Sequence, residues 1–401
     1  MDKKELLPLI ENYHRKISKV NLRFLRYLYH KINWETRIIS IRGARGVGKT
    51  TMLLQYILKN YENIDDTIYA SLDDLWFADH SLIDLVDMVY KYGMKRIFLD
   101  EVHRYPHWAI TLKNIYDSYP DFSIVYTSSS LLKIDNGQVD LSRRQTPYTL
   151  YGLSFREFLA YNEVYNFNPF PLDEILRHHP EISMEILSNI KIFPHFEEYL
   201  KRGYYPFYNE DPEDFVVRLR ESINVVIEND LPAVEHVSFE TIQKVRKLLM
   251  IISSNVPFQP KMSDLWGQLS TNNELGLKML YALDRAQILS LLTSHIKNYK
   301  QLYKPDKIFL GNTSLMHALC LSINKGNERE TFFNNQIQVY HKASYPLAGD
   351  FLIDDKYLFE VGGRNKTFEQ IADVADSYLA IDDIETGFGN RIPLWLFGFL
   401  Y

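Results

Sequence analysis

An α/β fold built on a parallel sheet with crossover helices is what this sequence predicts, and three observations predict it. Short apolar or β-branched runs recur at 36–42 (TRIISIR), 67–71 (TIYAS), 96–100 (RIFLD) and 123–127 (SIVYT), separated by helical stretches. A glycine-rich turn, Gly43 to Thr50, follows the first run directly and opens a helical pattern, TTMLLQYILKN. The third run ends in an acid pair, Asp100 and Glu101.

The turn Gly43-Ala44-Arg45-Gly46-Val47-Gly48-Lys49-Thr50 matches G-x-x-x-x-G-K-[ST] and lies where that motif must lie, between a strand and a helix. Its glycines let backbone N–H groups face phosphate oxygens, and the helix N-terminus adds partial positive charge. Residues 43–50 together with Thr51 are therefore the expected nucleotide-binding segment, with Lys49 reaching the β and γ oxygens and the Thr50 hydroxyl ligating magnesium. Asp100 is expected to hold the magnesium through water, and Glu101, one position on, to polarise the attacking water. No strand is followed by the N-K-x-D segment used for guanine; Asn324-Lys325 continues Gly-Asn. ATP is thus the expected nucleotide and magnesium the expected metal.

Two further features adjoin this pattern. The run SIVYTSSS ends in Thr127 to Ser130, where an adjacent strand can sense the γ-phosphate; Thr127 is the sensor candidate, and capping of a following helix is the alternative for these hydroxyls. Arg143 and Arg144 precede the strand pattern YTLYG (148–152) and suit an arginine finger, within the chain or across a subunit interface, or else a solvated pair. His103 and His107 have no partner at a metal-ligand spacing and read as loop residues.

Around this core the chain reads as several modules, since 401 residues exceed one hydrophobic core. The first 35 residues have helical spacing, and a mainly helical stretch runs from LSFREFLAYNEV to about 235. Three helical candidates between 241 and 287, then ILSLLTS and DKIFLG as strands, suggest a winged helix. The tail reads as a helix (ERETFFNNQI), strands at 337–342, 350–354 and 357–361, a helix at 367–380 and a strand at 393–400.

Together GARGVGKTT, FLDEVHRYPHW, VYTSSSLL and DLSRRQTPYTLYGLSFREFL resemble the prokaryotic AAA+ ATPases whose C-terminal half is a domain of unknown function. Gly203 to Phe207 (GYYPF) and GDFLIDDKYLFEVGGRNKTFEQI extend the resemblance over most of the chain. It implies a RecA-like ASCE core (1–155), a helical lid or insertion (156–235), a winged helix (236–312) and a degenerate restriction-endonuclease-like α/β module (313–401). In that family a motif L-S-G-R precedes P-L-S-F, which points to Arg144; here Arg143 replaces the glycine, and Ser128 replaces the glycine that commonly follows the sensor threonine.

Nucleases of the PD-(D/E)xK type need two carboxylates for magnesium and a lysine to orient water. Asp350 and Glu360 fit the carboxylates, but Gly362 stands where the lysine belongs; Lys366 lies four residues on, and Glu330 and Gln370 are further candidates from flanking helices. The reading is a degenerate module rather than an active nuclease. The candidate recognition helix offsets Lys278 and Arg285 with Glu274 and Asp284, leaving protein packing and DNA contact both open, and a net charge of -6 provides no overall basic field. Self-association or a protein client is the other partner class. A single cysteine, Cys320, in an apolar stretch reads as a buried structural thiol. The absence of a signal-peptide pattern or an apolar run of about 18 residues predicts a cytoplasmic protein with no membrane partner.

Overall fold

The computed structural model describes residues 3–131, 141, 143–235, 237–255, 257–259, 261–294, 304–372 and 374–401; of the DLSRRQ segment, Asp140 and Ser142 lie outside these. The chain divides into two compact units, residues 1–151 with 230–236 and residues 152–229 with 237–401.

The first unit opens with helix α1 (Leu7–Ile17), whose Leu9, Tyr13 and Ile17 form one buried stripe. The helical spacing of residues 18–35 is realised only as a short 3-10 turn, Tyr27–His30, and not as an α-helix. Backbone carbonyls of Asn21 and Phe24 instead accept from the buried Gln55 amide, and Leu22 is exposed. Five strands follow: β1 (Ile38–Gly43), β2 (Ile68–Ser71), β3 (Arg96–Asp100), β4 (Ser123–Ser129) and β5 (Thr146–Thr149), joined through helices α2 (Lys49–Asn60), α3 (Leu82–Lys91) and α4 (Trp108–Ser118). All pairings are parallel, in the order β2-β3-β4-β1-β5. Near-continuous apolar strands suit such a sheet because helices cover both faces; Ile38, Ile39 and Ile41 are fully buried.

This order places β4 between β1 and β3, so the glycine turn after β1 and the acid after β3 flank Thr127 of β4, which pairs with Ile41. The strand order reverses at β1, and crevices at such switch points, beyond the carboxyl ends of the strands, are where α/β sheets take ligands. The fifth strand sits at 146–149 rather than 148–152. Only Ile39 to Arg42 of β1 face it before the chain curls at Gly43, and the bond from Leu150 N–H to the Arg42 carbonyl (2.7 Å) is the last rung, so residues 151–152 have no ladder to join.

In the second unit, α5 (Phe155–Tyr161) begins at a capping box of Ser154 and Glu157. Helices α6 (Leu172–Leu187), α7 (Ile192–Glu198) and α8 (Phe215–Val225) follow; the next short helix, α9 (Leu231–Glu235), lies in the first unit. Then come α10 (Phe239–Ser253), α11 (Met262–Gln268) and α12 (Asn273–Arg285), and an antiparallel pair β6 (Leu289–Leu292) and β7 (Lys307–Leu310). Helices α13 (Thr313–Leu319) and α14 (Lys325–Ile337) lead to a mixed sheet of β8 (Ala343–Ser344), β9 (Phe351–Ile353), β10 (Tyr357–Gly362), β11 (Ser377–Ile381) and β12 (Arg391–Pro393), in the order β12-β11-β10-β9-β8. Phe333 of α14 packs against Phe351 and Phe359 of this sheet.

Three tail elements differ from the pattern reading. No strand spans 337–342: α14 runs through buried Ile337 and closes in turns, and only residues 343–344 pair with β9. No helix spans 367–380. Asp376 is left-handed (φ 53), which interrupts a helix, and Ser377–Ile381 finds backbone partners in a ladder with β10 and β12. Gln370 accordingly stands exposed on a turn. The apolar run 394–399 is a fully buried 3-10 helix, since a continuous apolar run carries no period to distinguish strand from helix. Cys320, just past α13, is half-buried, and burial pushes its thiol pKa up.

Candidate nucleotide site

Three strand ends and one helix start build the site. After β1 the loop turns through Gly46 (φ 84) and Gly48 (φ 93), left-handed conformations that glycine adopts without strain. Gly43 meets a different demand: a Cβ there would stand 2.3 Å from the Leu150 carbonyl oxygen. The loop is also held from outside, by the buried Arg26 guanidinium donating to the carbonyls of Val47 (2.6 Å) and Tyr151 (2.7 Å). Arg45, Gly46 and Thr51 are exposed, whereas Ala44 and Val47 are buried.

Lys49 opens α2, is buried (6% exposed) and donates to the carbonyls of Gly43 and Ala44, 3.0 Å each. Burial pulls its ammonium below the ordinary lysine range, while the negative charges of Glu101, Asp100 and Asp230 pull it back up. Thr50 points the other way and donates to Asp100 Oδ2 at 2.6 Å, joining residues fifty positions apart. Asp100 is surrounded by donors. Its Oδ2 also accepts from the Tyr69 hydroxyl (2.7 Å), and its Oδ1 accepts from the Thr127 hydroxyl and the Glu101 N–H (3.2 Å).

These oxygens suit magnesium. The cation takes hard oxygen ligands and is bound through one or two protein groups plus water and substrate phosphates, and a carboxylate and a hydroxyl converge here beside a glycine loop. Asp100 carries only uncharged donors, which exchange for a cation without stranding a buried positive charge.

Glu101 is left-handed at φ 53 and ψ 40, a costly conformation for a non-glycine residue. Its N–H is held by Thr127 Oγ1 (3.1 Å) and Asp100 Oδ1, and the turn swings its side chain out of the strand direction. Sequence reasoning missed three neighbours. Tyr69 of β2 reaches Asp100 across the sheet. His103, read from sequence as a loop residue, lies in a 3-10 turn (Val102–Arg104) with its ring fully buried. Asp230 accepts from Arg104 at 2.5 Å although 126 positions separate them.

Arg144 lies elsewhere in this unit. It pairs with Asp117 (3.2 Å) at the C-terminal end of α4 and sits near the Tyr116 ring. Thr146, two residues on, pairs with Ile39 near the start of β1, so Arg144 is at the edge where strands begin. The phosphate loop is at the opposite edge, roughly 15–20 Å away by strand rise.

In the second unit Glu330, Asp350, Glu360 and Lys366 are brought together with Lys307. Lys307 forms an ion pair with Glu330 and stands 3.9 Å from Asp350, which accepts from Val361 N–H at 2.8 Å. Glu360, 1% exposed, takes the Lys366 ammonium on Oε1 at 2.6 Å, and its Oε2 has no hydrogen-bond partner. A side chain at Gly362 would collide with the Lys366 methylenes (2.7 Å to Cγ), so Lys366 fills that space from the following turn. Burial pushes the Glu330 carboxyl up, with Asp350 adding to it. Among the described residues no group of three or more His, Cys, Asp or Glu is arranged to hold a metal ion. On α12, Lys278 is paired with Glu274 (2.8 Å), and Asp284 accepts from Leu291 N–H at 3.0 Å.

A glycine turn between strand and helix, with a lysine and threonine at the helix start and an acid at a nearby strand end, defines a P-loop nucleotide-binding domain. Residues 35–159 match the family described as AAA domain. Two uncharacterized proteins of Methanocaldococcus jannaschii are similar to the chain. One is 26% identical over 402 residues, covering 91% of this chain and 84% of the relative; the other is 24% identical over 350 residues, covering 81% and 74%. Among solved structures, AMPPCP-bound DnaA from Aquifex aeolicus aligns at 15% identity over 71% of this chain and 89% of its own, with a TM-score of 0.25. A RuvB variant from Thermotoga maritima aligns at 13% identity over 78% and 95%, with a TM-score of 0.30. Among the described residues no helix is long and apolar enough to cross a membrane.

Proposed function

We propose that this protein binds and hydrolyses Mg-ATP. The observation that carries the reading is the 2.6 Å contact between Thr50 Oγ1 and Asp100 Oδ2, which joins the two halves of the pattern at one point with Glu101 beside it. Loop N–H groups and Lys49 hold the phosphates; Lys49 exchanges its bonds to the Gly43 and Ala44 carbonyls for phosphate oxygens. Thr50 and Asp100 hold magnesium, which when bound neutralises phosphate charge. Glu101 accepts the proton of the attacking water, and Thr127 couples β4 to the acid strand through its bonds to Asp100 and the Glu101 N–H. Because Arg144 stands at the far edge of the sheet, it reaches only the phosphate site of a second copy, so its use as a finger requires self-association.

In this reading the nucleotide state is coupled to the helical segment 156–235, a winged-helix-like segment 236–312 and a nuclease-like segment 313–401. The ion-paired lysines around Glu330, Asp350 and Glu360 favour a structural role for that last module. Hydrolysis of ATP by the native protein, lost on chelating magnesium, tests the proposal; magnesium-independent turnover contradicts it.

A further inference from the structure

His103 carries the strongest unexplained feature near the site. Its ring is fully buried, and its Nδ1 lies 3.3 Å from the Ser129 backbone N–H. A backbone N–H can only donate, so Nδ1 accepts, and the ring proton of the neutral imidazole is on Nε2. That Nε2 is a buried donor with no hydrogen bond, and it is aimed between two carboxylates: Glu101 Oε2 at 3.4 Å and Asp230 Oδ1 at 3.9 Å. Neither contact has hydrogen-bond geometry, yet a shift of about half an ångström by Glu101, or of about 1 Å by Asp230, would bring a carboxylate oxygen to bonding distance. A buried donor left unsatisfied is costly, so the ring is poised to bond whichever acid approaches.

Asp230 is the acid carried by a distant part of the chain, 126 positions from Arg104. It is 2% exposed and held by Arg104, the neighbour of His103 in the same turn. It also belongs to the one stretch beyond residue 151, residues 230–236, that is part of the first unit; the chain on both sides of that stretch belongs to the second.

We propose that His103 is a positioning residue for Glu101 and that Asp230 controls it. With Asp230 in place, Nε2–H stays between the two acids and bonds neither, so the Glu101 carboxylate is left to take the proton of water. When the 230–236 stretch withdraws, Nε2–H bonds Glu101 Oε2 and occupies the oxygen that would accept that proton, so hydrolysis slows while ATP stays bound. The stretch that carries Asp230 thereby acts as a brake on the hydrolytic step. The proposal rests on the ATPase reading above.

The test is a mutant cycle on the full chain, read as kcat at saturating Mg-ATP, with binding of a fluorescent ATP analogue and thermal unfolding measured alongside. Asp230→Ala should lower kcat by about tenfold or more with analogue affinity within about threefold of native. Adding His103→Phe to Asp230→Ala should restore a substantial part of that loss, because the competing donor is gone. A simple structural role for Asp230 predicts the reverse, a double variant no better than the single. Asp230→Asn, which keeps the shape and an acceptor oxygen, should show the same pattern in smaller measure and serves if the alanine variant does not fold. Native turnover with an unaltered Asp230→Asn and Asp230→Ala, or without rescue by His103→Phe, overturns the proposal alone; a native protein without turnover overturns it together with the ATPase reading.

Discussion

Asp100 at the end of β3 in the first unit and the cluster of Glu330 (on α14), Asp350 and Glu360 (on β10) in the second are both carboxylate sites built around a buried acid, and they differ in what faces the negative charge. Around Asp100 stand hydroxyls and a backbone N–H; around the second set stand two ammonium groups, Lys307 and Lys366. Neutral donors stabilise a carboxylate but leave its charge available to a cation, whereas a buried ion pair satisfies the charge and penalises loss of either partner. In the proposed function the same residue type thus serves as an exchangeable ligand in one unit and a fixed strut in the other.

The largest test of that contrast is removal of charge from the first site. Lys49→Ala should weaken ATP binding by about 100-fold or more, measured by titration with a fluorescent analogue. Asp100→Asn should cut magnesium-dependent turnover by about 100-fold or more while changing stability by only about 1 kcal/mol, because the hydroxyl partners can reorient. In the second unit the balance is reversed: Glu330→Ala strands buried Lys307 and should cost about 3–5 kcal/mol in denaturant unfolding. Replacing both partners, Lys307→Met with Glu330→Leu, should recover most of that loss. A Glu330→Ala variant as stable as native would erase the distinction.

Smaller effects sharpen it. Tyr69→Phe removes one of the donors on Asp100 Oδ2 and should lower stability by about 1 kcal/mol, with turnover reduced a few-fold. A pH-dependent effect concerns Asp284, whose carboxyl burial pushes up from 3.8 to about 6, against the opposing bond from Leu291 N–H. A raised folded pKa means that the folded state holds the proton more tightly. Its stabilising contribution is therefore full below about pH 4 and lost as pH rises through 6. Unfolding followed across that window should show the second unit weakening with pH, and Asp284→Asn should flatten that slope.

What was legible in the sequence was whatever is local along the chain. The loop from Gly43 to Thr50 is contiguous, Asp100 and Glu101 close a strand run, and Thr127 opens the hydroxyl run that closes another, so spacing alone marks them. The α10 to β7 order of helices and strands was equally legible from period and turn residues. Tyr69, His103 and Asp230 were not, because only the strand order and the return of residues 230–236 bring them to the site; tyrosine in a strand is ordinary packing, and a lone histidine after an acid pair has no spacing to identify it. The tail failed for a different reason. Residues 367–380 have apolar spacing that a helix can use, but the ladder between β10 and β12 supplies hydrogen-bond partners for β11, and that long-range pairing decides. Lys366 was legible as a candidate and not as a partner, since its reach to Glu360 depends on the turn that the space at Gly362 permits.

Steady-state ATP hydrolysis with magnesium, comparing the native protein with Glu101→Gln, tests the central claim most directly. The account predicts turnover by the native protein, and a variant that binds the ATP analogue normally while its turnover falls by about 100-fold or more. Equal turnover in the two proteins would contradict the assignment of Glu101 and with it the hydrolytic mechanism built on this site.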